Sequence, residues 1–523
     1  MRALNVEQMR AVEEAGRKRL GDLELMRAAG ERLAEAIQFF APEKARVVAF
    51  AGPGDNGGDA FAALARLGRE RHSVIYAMPA RSPSAARRDA ETRARAAGVE
   101  IHPLPTTAAE ASRVLEGGAF ALDALLGTGS RGAPDGAMAP VIEALNSWVP
   151  EAVLAVDVPT GVDATTGEVA PNAVRAGITL SFGALKVGTL LEPGRDFAGD
   201  IYLGFIGLDP EIEALGPPYV QTLSTLEWLA AMPERDLSAD KRAAGSPLVV
   251  AGSRQFPGAA VLCARGAARS GAGYVTVATP NEAADLLRMH LVEQVVVGFD
   301  SSDVAGSVAT LLDLTNHCGA VALGPGLGLD ERTGEIVRGF VSKLDLPFVA
   351  DASALFHFAK HLDILRGKRC VLTPHAREFA RLSGGGTVAP GARVTRLREF
   401  VARTGIVTLL KGRATLIDDG TTTHVNMSGT NALATAGTGD VLTGTIATLL
   451  AQGLTPVDAA RVGACWHGLA GQAAEAERTL GVVAGDVLDG FAPAYDSAHE
   501  IAAEVDVELG FQLARVYTSL SPR

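Results

Sequence analysis

Short apolar runs separated by segments of helical period recur along most of this chain, and that alternation constrains its fold more than any other feature. In the first part the runs fall at residues 47–51, 73–77, 120–126 and 153–158, with helical stretches such as 61–69 and 138–148 between them. Strands that read as continuous apolar runs are buried on both faces. With helices between them, they build a parallel sheet covered on both sides. Upstream, Asn5 and Gln8 form a capping-box signature, and Val6, Met9 and Val12 continue at helical spacing. Residues 5–39 are therefore expected to form two helices ahead of the sheet.

The alternation lapses between Leu208 and Gly245, where Pro210, Pro217, Pro218 and Pro233 stand near a mixed charge cluster at 234–242. A second series then runs through 248–251, 274–278, 320–323, 348–350, 371–372 and 406–410, and closes with helical segments at about 439–452 and 456–478. In a chain of 523 residues this predicts two α/β domains, residues 1–216 and 222–523, each with its own strand-and-helix series.

The balance of 48 basic against 60 acidic residues gives a net charge of −12. A broad nucleic-acid surface needs a basic face and is excluded. Small anionic ligands are not, because backbone amides and one or two lysines suffice to hold them. The cysteines Cys263, Cys318, Cys370 and Cys465 are widely spaced, with no zinc-binding pattern, and read as free thiols in a reducing compartment. Glu7, Glu13 and Glu14 occupy the stretch where a signal peptide is apolar. No run reaches the ~18 apolar residues of a spanning helix. The expectation is a cytoplasmic, homo-oligomeric enzyme acting on small molecules, without a membrane or nucleic-acid partner.

The most informative string is Ala434-Thr435-Ala436-Gly437-Thr438-Gly439-Asp440, directly before a helical pattern. Glycines at a helix start expose amides to an anion, and the helix dipole adds positive potential there. A carboxylate beside that anion hole is unfavourable unless it has work to do, such as taking a proton from an attacking hydroxyl. The bland alternative is a helix-capping aspartate. Lys411-Gly412-Arg413-Ala414-Thr415 follows an apolar run, which suits approach to a polyphosphate or, on its own, a plain hairpin lysine. Leu323-Gly324-Pro325-Gly326-Leu327-Gly328 suits close approach of a flat ligand or a tight turn, and His375 sits at a strand-to-helix junction.

Together and in order, these strings resemble the ribokinase-like fold, and within it the ADP- or ATP-dependent NAD(P)H-hydrate dehydratases, over about residues 237–495. The resemblance implies that Lys411, Gly412, Arg413, Ala414, Thr415 and Gly439 hold the nucleotide with Mg²⁺. It also implies that Ala260, Gly326, His375 and Asp440 line the hydrated nicotinamide, with Asp440 catalytic. The sequence departs from the pattern at Asp240-Lys241-Arg242, where His-Lys-Gly is common, at Ser353, where an acidic residue is expected, and in residues 497–523, which extend past the usual end.

In the first domain, Phe50-Ala51-Gly52-Pro53-Gly54-Asp55-Asn56-Gly57-Gly58-Asp59 joins a strand to a helix expected at 60–69. Its glycines are expected to supply positive φ and close backbone approach to a pyrophosphate. Asp123, the loop Gly127-Thr128-Gly129-Ser130-Arg131-Gly132-Ala133, and Asp157-Val158-Pro159-Thr160 lie at other strand ends, where open parallel sheets bind ligands. This set resembles the Rossmann-like NAD(P)H-hydrate epimerases. The resemblance implies K⁺ on Asn56, Asp123 and Thr160, and the dinucleotide on Asp55 to Asp59, Gly127 to Ala133 and Asp157. Asp55 replaces a usual asparagine and adds a negative charge near a phosphate. Thr160 replaces a usual serine and keeps the hydroxyl. Inverting a hemiaminal carbon needs an acid–base group, with Asp157 the first candidate and Lys186 the second. Two other readings compete: a vitamin or small-alcohol kinase on the same fold, and a first domain that binds a dinucleotide without catalysis.

Overall fold

The structure, a computed structural model, describes residues 1–129, 132–134, 136–234, 241–386, 388–508 and 513–515. Contacts divide the chain into two compact units. One comprises Met1–Thr222 with the strand Leu513–Arg515, and the other comprises Leu223–Ala503. The parting falls after residue 222 because the strand Val220–Gln221 pairs antiparallel with Arg2–Leu4 and so stays with the first unit. Leu513–Arg515 pairs antiparallel with Asp200–Gly204 at the edge of the first sheet, so the expected second domain 222–523 does not keep all of its residues.

The first sheet runs in the order Leu513–Arg515, Asp200–Gly204, Ile178–Phe182, Val153–Val156, Phe120–Ala124, Val47–Ala51, Ser73–Ala77, Glu100–Pro103. All neighbours after the first pair are parallel. Its three layers follow from strand geometry, since successive side chains point to opposite faces. Val47, Ala49 and Ala51 pack with Leu33, Ile37, Phe61 and Leu64 on one side. Val48 and Phe50 pack with Leu115, Val141 and Leu145 on the other. Chain order reverses between Val47–Ala51 and Phe120–Ala124, which places the ligand crevice at their carboxyl ends. The two expected N-terminal helices are Val6–Leu20 and Asp22–Phe40, the first with its Asn5 and Gln8 capping box.

The second sheet runs Val295–Phe299, Thr276–Pro280, Pro247–Val250, Ala320–Leu323, Phe348–Ala350, Cys370–Leu372, Val407–Leu410, Thr415–Asp418, Thr423–Asn426. It is parallel as far as Val407–Leu410 and antiparallel over the last two strands, which the sequence series did not include. Asp418 and His424 interrupt their apolar pattern. Among the described residues no helix is long and apolar enough to cross a membrane, and the four cysteines are free.

The helix Thr438–Ala451 crosses Pro257–Arg269 at two glycines. A Cβ on Gly444 would lie 1.9 Å from the Cys263 carbonyl oxygen, and one on Gly266 would lie 2.5 Å from that of Val441. Backbone contact this close fixes where the helix start falls over the sheet. Gly444→Ala is therefore expected to cost about 1–3 kcal/mol by overpacking. Gly485→Ala has open space around its Cβ and serves as a control, expected to change stability by no more than about 1 kcal/mol. Denaturant melts of the two variants check this.

Candidate functional site

In the second unit the site forms around a buried carboxylate at the end of the strand Phe348–Ala350. Asp351 is 2% exposed. Lys411, directly after Val407–Leu410, donates from Nζ to Asp351 Oδ1 at 2.7 Å, and Thr443 Oγ1 donates to Oδ2 at 2.9 Å. Thr443 lies one turn into the helix Thr438–Ala451, whose cap, Gly437, has a φ of +95°. Only glycine takes that left-handed conformation without strain. A Cβ on Gly439 would stand 3.4 Å from Lys411 Nζ and 3.7 Å from Asp351 Oδ2, so the helix start touches the ion pair.

Asp440, in the first turn, feels this arrangement. Burial and then the Asp351 charge push its carboxyl up to about 7, with Lys411 opposing. Burial pulls the Lys411 ammonium down, but Asp351 and Glu378 outweigh it and hold the group above its ordinary value. A cationic lysine and a carboxyl poised near neutrality thus share one glycine-rich helix start.

A cavity of about 270 Å³ opens beside them, lined by Lys411, Gly412, Arg413, Thr415 and Gly439, and also by Asn426, Ser428, Asn431, Thr438 and His467. Ala414 is not in that wall; its side chain is buried. His375 caps the helix Ala376–Leu382, with Nδ1 accepting from the amides of Arg377 and Glu378. Gly326 packs on the turn before Pro257–Arg269, where its Cβ would lie 2.7 Å from the Phe256 carbonyl oxygen and 2.9 Å from Ala259 Cβ. Gly324, Gly326 and Gly328 all have positive φ, as a tight turn of the backbone requires. Ala260 is fully buried beneath Gly252.

In the first unit the helix begins at Asp55, five residues earlier than expected, and takes Gly57 and Gly58 into its first turns. Gly52, Gly54, Gly57 and Gly58 do not have positive φ. They serve close approach instead, since a Cβ on Gly52 would lie 1.6 Å from the Leu125 carbonyl oxygen and one on Gly57 2.4 Å from that of Gly52. Asp123 is fully buried and accepts from Thr160 N at 2.8 Å, Thr160 Oγ1 at 2.6 Å and Leu125 N at 3.3 Å. Burial pushes its carboxyl up to about 6 against those hydrogen bonds. Asn56 packs on Gly127, and its buried Nδ2 has no partner among the described residues. These three side chains converge on the turn at 125–127.

Asp157 follows Val153–Val156 with a φ of +69°, rare for a residue with a side chain. It receives hydrogen bonds from Lys186 Nζ and Phe182 N, and Lys186 also donates to the carbonyls of Phe182 and Ala184. With three bonds the ammonium is saturated. One of those bonds fixes the Asp157 carboxylate against Lys186. Burial pushes the Asp59 carboxyl well above its usual range, with Asp157, Asp55 and Glu13 adding to the effect. Thr128, Gly129, Gly132 and Ala133 lie in the loop after Phe120–Ala124, while Ser130 and Arg131 lie outside the described residues. A shallow apolar recess between Val6–Leu20 and Asp209–Glu213 lies elsewhere in this unit, and its one charged side chain, Glu211, is paired with Arg19.

The family described as NAD(P)H-hydrate dehydratase matches residues 247–491, and the YjeF-related protein N-terminus matches 22–188. The bifunctional NAD(P)H-hydrate repair enzyme of Pyrobaculum aerophilum is 34% identical over 477 residues, 89% of this chain and 92% of the relative. This chain belongs to the bifunctional NAD(P)H-hydrate repair enzyme family. The repair enzyme of Mycobacterium tuberculosis is 36% identical over 425 residues, 79% of this chain and 80% of the relative. A solved structure of Bacillus subtilis ADP/ATP-dependent NAD(P)H-hydrate dehydratase, co-crystallised with ATP/Mg²⁺, is 30% identical and covers 53% of this chain and 99% of that one, at a TM-score of 0.46.

Against the repair-enzyme pattern, the departures have local accommodations. Asp55 accepts from Ser84 Oγ at 2.7 Å. Ser353 Oγ accepts from Gly328 N at 3.2 Å and so steadies the glycine turn. Thr160 keeps its hydroxyl on Asp123. Lys241 and Arg242 stack on Tyr274, while Asp240 lies outside the described residues. Sequence reasoning missed Thr443 and His467, which sit inside helical apolar runs without a local signal, and the partnership of Asp351 with Lys411.

The raised Asp440 value has a stability consequence. The folded chain binds more protons at this group than the unfolded chain does, so its contribution is complete below the ordinary carboxyl pKa and is lost as pH rises through about 7. Asp440→Asn cannot ionise. It is expected to be more stable than the parent at pH 8, by on the order of 2 kcal/mol, with the difference shrinking towards pH 5. Paired melts across that range check it.

Proposed function

We propose that the second unit dehydrates the S epimer of NAD(P)H hydrate with ADP or ATP as phosphoryl donor, and that the first interconverts the R and S epimers. The observation carrying the dehydratase reading is Asp440, a carboxyl tuned to about 7 beside Lys411 at a glycine-rich helix start. Hydroxide is a poor leaving group from C6 of the hydrated ring. Asp440 takes the proton of the C6 hydroxyl as its oxygen bonds to the donor's terminal phosphorus, and the donor's bridging P–O bond breaks. Phosphate then leaves C6 with the C–O electron pair as the ring nitrogen donates its own, and loss of the C5 proton restores C5=C6. Lys411 and the amides at the helix start stabilise charge on the transferring group.

Among the described residues no group of three or more His, Cys, Asp and Glu could hold a metal. Asp351 is already engaged by Lys411 and Thr443. Mg²⁺, which neutralises phosphoryl charge, would therefore ride on the nucleotide phosphates beside Lys411 and Asp440. In the first unit Asn56, Asp123 and Thr160 would hold K⁺. Support comes from a buried carboxylate with no cationic side chain among its hydrogen bonds. One formal charge with neutral oxygens suits a monovalent ion. Asp157, held by Lys186, and Asp59, whose carboxyl burial holds well above its usual range, would form an acid–base pair for inverting C6. Free thiols throughout support a reducing, cytoplasmic setting.

The test is a progress curve of the full chain on mixed epimers with ADP or ATP, following near-ultraviolet absorbance and released phosphate. Both are expected to reach completion together, with Asp440→Asn reducing the rate by about 100-fold or more. Replacing K⁺ by a bulky organic cation is expected to leave a fast phase and slow the remainder. A phosphorylated product accumulating without recovered absorbance would instead identify a kinase.

A further inference from the structure

The cavity beside Lys411 and Gly439 has a polar group the chemistry above does not use. His467, on the helix Pro456–Glu477, is 7% exposed and lines this cavity. Its Nε2 is buried and has no hydrogen-bond partner among the described residues. The Thr438 backbone favours the protonated ring but does not outweigh burial. A neutral imidazole has one N–H and one bare nitrogen. Burial, with Lys411 adding to it, pulls the histidine down to about 4, so the ring is neutral at physiological pH. With that hydrogen on Nδ1, Nε2 is a bare lone pair.

A buried acceptor left unpaired is unfavourable and calls for a donor from outside the protein. The cavity already presents Lys411 and the helix start to phosphate, and its remaining wall carries Asn426, Ser428 and Asn431. Asn426 and Ser428 are tied together, with Ser428 Oγ donating to Asn426 Oδ1 at 2.9 Å and to the Cys465 carbonyl at 2.9 Å. His467 Nε2 thus has no partner among the described residues, while Asn426 and Ser428 are satisfied by each other and by backbone carbonyls. We infer that His467 selects the phosphoryl donor by accepting a hydrogen bond at Nε2 from an N–H or O–H on its nucleoside.

The inference rests on the nucleotide-donor reading, and it makes His467 a specificity determinant with no part in the proton transfer at Asp440. A nucleoside offers such donors from two sources, the exocyclic amine of adenine and the ribose hydroxyls. The sugar or base lacking the relevant donor leaves Nε2 unpaired in the complex, and discrimination from such a loss is large.

The test measures KM and kcat of the full chain for ADP or ATP and for three analogues of the better donor: the purine riboside form without the 6-amino group, the 2′-deoxy form and the 3′-deoxy form. One analogue is expected to raise KM about tenfold or more in the parent, with kcat changed far less. In His467→Leu that analogue and its natural counterpart are expected to bind alike, and His467→Gln, which keeps an acceptor, is expected to recover part of the preference. The parent series stands without the variants if the His467→Leu protein fails to fold. If all three analogues match the natural nucleotide within about threefold, or if the preference survives unchanged in folded His467→Leu, the inference is wrong. Failure of any nucleotide to bind would overturn the donor site as well, whereas binding indifferent to every analogue would overturn this inference alone.

Discussion

The second unit is organised around one interaction, the burial of the Asp351 carboxylate between the Lys411 ammonium and the Thr443 hydroxyl. Three separate elements meet there: the ends of two strands and the first turns of a helix. A buried carboxylate needs partners of this kind, because an uncompensated charge in an apolar core costs several kcal/mol. The same interaction sets the chemistry. Asp351 offsets the desolvation of Lys411 and keeps it cationic, and its negative charge adds to the burial that raises Asp440. The helix holding Asp440 and Thr443 stays in place because Gly444 and Gly266 permit backbone contact with Pro257–Arg269.

The first unit solves a related problem by other means. Asp157 is tied to a lysine that is itself 1% exposed and has spent all its hydrogens on protein acceptors. Asp123 has no such cation and is held by amides and a hydroxyl, which leaves its carboxyl raised to about 6. Two buried aspartates at neighbouring strands thus have different charge environments.

The layered architecture was legible in the sequence because strands such as Val47–Ala51 are buried on both faces and read as unbroken apolar runs. Strands without such a run were not. Glu100–Pro103 is largely exposed and has no apolar signature, and Thr415–Asp418 and Thr423–Asn426 carry polar residues within short runs. Gly437, Gly439, Asp440 and Lys411 were visible because glycine beside charge at an element boundary is locally unusual. The glycines after Val47–Ala51 were expected at positive φ and do not take it: Gly57 and Gly58 lie in the helix that begins at Asp55, and Gly52 and Gly57 pack against backbone carbonyls. Thr443 and His467 were invisible because each looks like an ordinary helical residue until the fold brings it to the cavity.

The claim that Asp351 tunes Asp440 is tested most directly by the pH dependence of kcat/KM for nucleotide-dependent dehydration in the parent and in Asp351→Asn. The base must be ionised to act, so activity should rise with pH through an apparent pKa near 7 in the parent. Removing the Asp351 charge should move that limb to lower pH. A limb at the ordinary carboxylate value of ~4, or one near 7 that Asp351→Asn leaves in place, would contradict the account.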